Sequence, residues 1–163
     1  MVVVINESEE GYISAVNGSL VEIKGLENKV RLNDLIKISN HNFLCQVIQI
    51  YSDRIIAQSF ESTNSIRLNE KVVSLQEPLS MELAPGLIAN VFDGIQRPLD
   101  LTFDFFQEGR INKGLEFPSL SRTKKWHFIP TRKKNDIISS GDEIGIVQET
   151  LMLDHKIMVP PGE

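Results

Sequence analysis

Between residues 10 and 75, apolar and polar positions alternate in short runs broken by turn-forming residues. Tyr12 to Val16 and Ser19 to Ile23 flank Asn17-Gly18. Asn and Gly tolerate the positive φ angles of a type I′ turn, so this stretch predicts a two-residue hairpin. Phe43 to Ile50, Arg54 to Phe60 and Lys71 to Leu75 are further β-rich runs, separated by Ser-Asp and by Thr-Asn-Ser. Five or six strands at this spacing, without a helical period, predict a small antiparallel barrel.

The pattern changes after Ala84-Pro85-Gly86. Leu87, Ile88, Val91, Phe92 and Ile95 recur at a spacing that would put them on one helical face. Pro85 suits a helix start, and Asp93-Gly94 with Pro98 suits its end, so a short helix is expected in a connecting segment. Residues 107–123 contain Gly109, Gly114 and Pro118 and read as a long loop. Beyond it, Trp126 to Ile129, Ile144 to Val147 and His155 to Val159 are β-rich again. The expected fold is mainly β. It has a small antiparallel barrel over 1–75, a linker with a short helix over 76–109, and a second small sandwich or barrel-like β domain over 110–163.

Composition narrows the class. At 163 residues with 41% hydrophobic side chains, the chain suits one domain or two small ones and is too apolar for general disorder. No run approaches the roughly 18 apolar residues of a membrane span. Met1 to Ile5 runs straight into Asn6 to Glu10 without a basic n-region, so no signal peptide is expected. The single cysteine, Cys45, excludes an internal disulfide and agrees with a reducing compartment. A soluble cytoplasmic protein is the expectation. Charge is uneven: residues 110–134 hold eight basic side chains against Glu116 alone, a net of +7. The whole chain carries −5, so the remainder carries −12. Wholesale nucleic-acid binding is therefore disfavoured.

The sequence is expected to carry no catalytic, cofactor-binding or metal residues. There is no GxxxxGK[ST] and no GxGxxG. Gly141-Asp142-Glu143-Ile144-Gly145 reads as a tight β-turn. His41, His127 and His155 share no metal spacing with Cys45, which reads as a buried inert thiol between Leu44 and Val47. Asp100 and Asp104, set among Leu101, Phe103, Phe105 and Phe106, read as the polar face of an extended segment. The 141–150 stretch has the look of a lipoyl or biotinyl carrier, but its nearest lysine, Lys156, lacks the attachment context. Lys124, Lys125, Trp126 and Phe128 admit a nucleic-acid-binding barrel as an alternative. A solvated loop, or a docking face for an acidic protein partner, is the better account of the basic stretch.

Residues 78–87 (Pro-Leu-Ser-Met-Glu-Leu-Ala-Pro-Gly-Leu) and 92–99 (Phe-Asp-Gly-Ile-Gln-Arg-Pro-Leu) resemble the catalytic A subunit of V-type and A-type rotary ATPases. So do Lys124 to Pro130, Gly145 to Thr150, His155 to Gly162, and Gly11 to Ile13 with Val16 to Gly18. The resemblance implies a barrel in the crown of a hexameric ring, then a linker, then a β-rich insertion called the bulge or non-homologous region. The chain is expected to stop as the family leaves that insertion, before the nucleotide domain. It implies a parent that binds ATP and Mg and couples hydrolysis or synthesis to hydrogen-ion or sodium transport. The implied partners are other A and B subunits and the peripheral stalk, with no nucleic acid, and with membrane contact only through the assembled complex. The chain itself, lacking the phosphate-binding loop, is expected to be a non-catalytic assembly piece without a cofactor. A stand-alone adaptor that uses this module without ATPase activity is the other alternative. Two departures stand out. Phe43 to Gln46 replaces the family's usual Gly-Glu. Ala84 stands where the family usually has Gly, and would restrict the backbone if that position needed positive φ.

Overall fold

The computed structural model describes residues 9–88, 90–100, 114 and 117–162. The chain divides into two compact units, 1–80 with 105–116 and 81–104 with 117–163. Leu101 to Phe106, with Asp104, lie outside the described residues.

The first unit is a closed barrel. Its strands are β1 (Glu10–Asn17), β2 (Leu20–Lys24), β3 (Asp34–Ile38), β4 (Phe43–Ile50), β5 (Ile55–Ser59) and β6 (Lys71–Pro78). They run in the order β1-β2-β5-β4-β3-β6, every neighbouring pair antiparallel, with β1 pairing back onto β6. The period-two pattern does what the sequence asks of it. On β4, Phe43, Cys45 and Val47 point inward while Leu44, Gln46 and Ile48 lie nearer solvent. Ile13, Val21, Ile23, Ile36, Ile38, Ile55 and Val72, none with exposed surface, pack with them into one core. Register shifts at Ile13/Ala15, Asp34/Ile36 and Val47/Gln49 mark bulges that bend strands so that the sheet can close.

Two details differ from the sequence expectation. The β1–β2 turn is Gly18-Ser19, one residue later than expected. Only Gly18 has positive φ (60°) there, the signature of a type II′ turn rather than type I′. Strand β3 is invisible to the pattern, because Asp34, Leu35 and Ile36 are buried in succession across a bulge and break the alternation.

The second unit contains a three-stranded antiparallel sheet, β7 (Phe128–Pro130), β8 (Glu143–Thr150) and β9 (Leu153–Met158), with β8 in the middle. Gly145 is required there by packing. A Cβ at that position would run into the ring of Phe128 and come within 2.7 Å of the Ile129 carbonyl oxygen. Gly141, at φ 89°, makes the expected turn into β8.

The helix expected over 87–95 does not form. Among the described residues of that stretch the chain follows bends and turns, Phe92 bridges to Pro98, and helical hydrogen bonding appears only at Leu99 and Asp100. A helix this short is marginal by itself, and side chains capture the backbone first. Asp93 Oδ1 accepts from the Ile95 and Arg97 amides at 3.0 and 2.9 Å. The buried Gln96 side chain exchanges two hydrogen bonds with the Glu82 backbone, at 2.7 and 2.8 Å. Ala84 is not at positive φ; that conformation belongs to Gly86, at 113°, so the alanine costs the turn nothing. Among the described residues no helix is long and apolar enough to cross a membrane.

Candidate functional site

The second unit builds its most developed polar cluster around Glu149 of β8. The carboxylate is almost wholly buried, with 2% of the side chain exposed. Oε1 accepts from the amides of Gly86 (2.6 Å) and Ile88 (3.1 Å), and Oε2 lies 3.1 Å from Nδ1 of His155 on β9. Burial pushes the pKa of Glu149 up, but the two amides and the His155 ring outweigh it and hold the carboxyl below its usual range. The arrangement fastens the 86–88 turn to the β8–β9 hairpin. Its three contacts reach two backbone amides and one ring nitrogen of the same unit, which makes it a structural clamp.

The fastened turn forms one wall of a cleft of about 460 Å³. Gly86, Phe92, Leu120 and Trp126 supply its apolar surface, and Arg122 and Lys124 its cations. Lys124 Nζ sits 3.9 Å from the centre of the Trp126 ring, a cation–π contact. Arg122 is paired with Glu82. Asp100 is the one carboxylate among the lining residues. Phe128 is placed differently from Trp126, with its ring over Gly145 rather than in the cleft.

In the barrel unit, Cys45 is fully buried, and burial pushes its thiol up to about 11, partly opposed by a hydrogen bond with Ser59. An un-ionised thiol without access is inert, as the sequence suggests. His41 lies 3.3 Å from the Glu70 carboxylate and stacks on Phe43. Glu70 also accepts from the Arg67 amide at 3.1 Å, so the pair ties a turn to the barrel wall. His127 is exposed. Lys156 lies within β9 and pairs with Glu143 at 3.1 Å, whereas the β8–β9 tip is made by Leu151 and Met152. That is the wrong place for a carrier lysine. Among the described residues no group of three or more His, Cys, Asp and Glu could hold a metal ion.

Sequence reasoning finds Lys124 and Trp126 but misses Glu149. Besides His155, six positions on, its partners lie 61 and 63 positions away and are backbone amides, which no residue pattern encodes.

Family comparisons agree with this layout. Residues 13–76 match the ATP synthase alpha/beta family beta-barrel domain, and residues 117–163 match the ATP synthase alpha/beta subunit barrel-sandwich domain. A V-type ATP synthase alpha chain from Thermoanaerobacter sp. (strain X514) is 43% identical over 153 residues, 94% of this chain and 26% of the relative. The A subunit of an A-type ATP synthase from Haloquadratum walsbyi is 38% identical over 153 residues, again 94% of this chain and 26% of the relative. Its counterpart from Saccharolobus islandicus is 41% identical over 151 residues, 93% of this chain and 25% of the relative. The chain thus spans about a quarter of the length of the curated relatives it matches. With a barrel and a barrel-sandwich match in the same order, it belongs to the ATP synthase alpha/beta family and resembles the N-terminal region of the V-type and A-type A chains.

Proposed function

We propose that this chain is a non-catalytic assembly module of the A subunit of a V/A-type ATP synthase. Its barrel joins neighbouring A and B subunits in the crown of the ring, and its second unit, the bulge, faces the peripheral stalk. The 76–109 stretch carries the chain out of the barrel, and its 81–104 part belongs to the second unit. The parent, peripheral to the membrane on its cytoplasmic side, couples ATP hydrolysis or synthesis to proton or sodium transport. The observation that carries the reading is the co-linear match along 94% of the chain, laid on a closed six-stranded barrel.

ATP and Mg do not fit the residues present. The sequence has no phosphate-binding loop, and the described residues hold no metal cluster. In this reading the nucleotide is held by another part of the parent, and this chain contributes only contacts between subunits. Barrel closure suits that role. A sheet without free edges associates through side chains, which makes its contacts selective.

The test is a chimera in which this chain replaces the matching region of the Thermoanaerobacter alpha chain, co-produced with the other subunits of that complex. Native mass spectrometry should find the hexameric ring, and ATP hydrolysis should survive in it. A chimera that folds but stays monomeric would refute the assembly role.

A further inference from the structure

We propose that the cleft of the second unit, with the basic segment that forms part of its wall, docks an acidic polypeptide segment carrying an apolar anchor. This rests on the reading that the second unit faces a partner, and deepens it by naming that partner's chemistry.

Charge complementarity selects the occupant. From Phe117 to Asn135 the sequence contains no Asp or Glu, while Arg122, Lys124, Lys125, Arg132, Lys133 and Lys134 are all exposed. Arg122 is occupied by Glu82, and Arg132 donates to the Glu143 carbonyl oxygen. Lys125, Lys133 and Lys134 make no ion pair with the described residues. They flank β7 at both ends, so a carboxylate-rich segment running past that strand would meet cations before and after it. The cleft supplies what charge alone does not. Its walls of Phe92, Leu120 and half-buried Trp126, and its volume of about 460 Å³, suit a few apolar side chains.

The geometry also argues against the competing occupants. A stacked nucleobase needs an open aromatic face, but Lys124 covers one face of Trp126 and Phe128 is committed over Gly145. Strand addition at the free edge of β7 is weak as well. Thr131 donates to Ile144 across the sheet, so by alternation the nitrogen of Pro130 faces the open edge, where it has no hydrogen to give. The partner is therefore held by side chains.

Trp126 is the only tryptophan, and its emission reports the cleft directly. The full chain is titrated with a short peptide of Glu and Leu, with a Lys/Leu peptide and an oligothymidylate of matched length as comparators. The acidic peptide should produce a saturable change that weakens with added salt. The double variant Lys124→Glu, Lys125→Glu, altered only at exposed positions, should bind it about tenfold more weakly. Absence of a saturable change overturns the proposal. So does tighter binding of either comparator, or binding indifferent to both salt and the double substitution. Ring assembly of the chimera is read separately, so a peptide that fails while the chimera assembles sinks this proposal and leaves the assembly role standing.

Discussion

The two units reach order by different means. In the barrel, ten of the largest side chains with essentially no exposure, from Ile13 to Val72, form one continuous apolar core around which every strand is paired on both sides. Among the described residues of the second unit the buried apolar ones are fewer and less completely covered: Leu120, Val147 and Val159 at 6%, 4% and 8%. Side-chain bonds to backbone do much of the remaining positioning there, locally at Asp93 and across longer separations at Gln96 and Glu149. A core built by area is tolerant of polar rearrangement and intolerant of lost volume. A unit fastened by a few polar clamps has the opposite weakness.

The sequence supplies one probe for each side of this contrast. Cys45 lies in the barrel and Trp126 in the second unit, and each is the only residue of its type. Thiol labelling in denaturant should follow barrel opening, and tryptophan emission should follow the second unit. The emission transition is expected at lower denaturant than the labelling transition. Coincident transitions would mean that the units unfold together and would erase the contrast.

The largest effect is expected in the barrel. Ile36→Ala leaves a cavity in a fully buried site and should cost about 2–5 kcal/mol, moving the Cys45 transition far more than the Trp126 one. Gly145→Ala comes next. Its new methyl must displace the Phe128 ring and strain the β7–β8 pairing, at about 1–3 kcal/mol, read in the Trp126 transition.

Glu149→Ala orphans the Gly86 and Ile88 amides and should cost about 1–2 kcal/mol in the same transition. It also carries a pH signature. Because the native carboxyl titrates below its unfolded range, its contribution is present above the ordinary carboxylate range and is lost as pH falls through the depressed native value. The second unit should therefore lose stability on acidification through that window, and the variant should lose less. Equal acid profiles for both proteins would remove Glu149 from the account. The smallest effect belongs to Met152→Ser at the β8–β9 tip. That side chain is 99% exposed, so stability should change by less than about 0.5 kcal/mol.

The barrel was legible because its information is local. Alternation at Phe43, Cys45 and Val47 already states which face is buried, and Asn17-Gly18 marks a turn to within one residue. Even there, β3 escaped, since a bulge suspends the alternation that reading depends on. The 87–95 segment shows the opposite limit. Its apolar spacing is helical, yet the Ile95 amide that a helix would turn to a preceding carbonyl goes to the Asp93 side chain, and Glu149, some sixty residues on, holds the Gly86 and Ile88 amides in a turn.

The sequence by itself determined the mainly β class, the inward face of most barrel strands, the inert buried thiol, the lack of a phosphate-binding loop and the family resemblance. All of these follow from periodicity, residue chemistry or contiguous strings. Only the tertiary structure decided the strand order that closes the barrel, the loss of the short helix, the Glu149 clamp and the assembly of the Trp126 cleft. Each depends on which distant backbone groups meet. A buried carboxylate is stable only when such groups satisfy it, and folding alone brings them together.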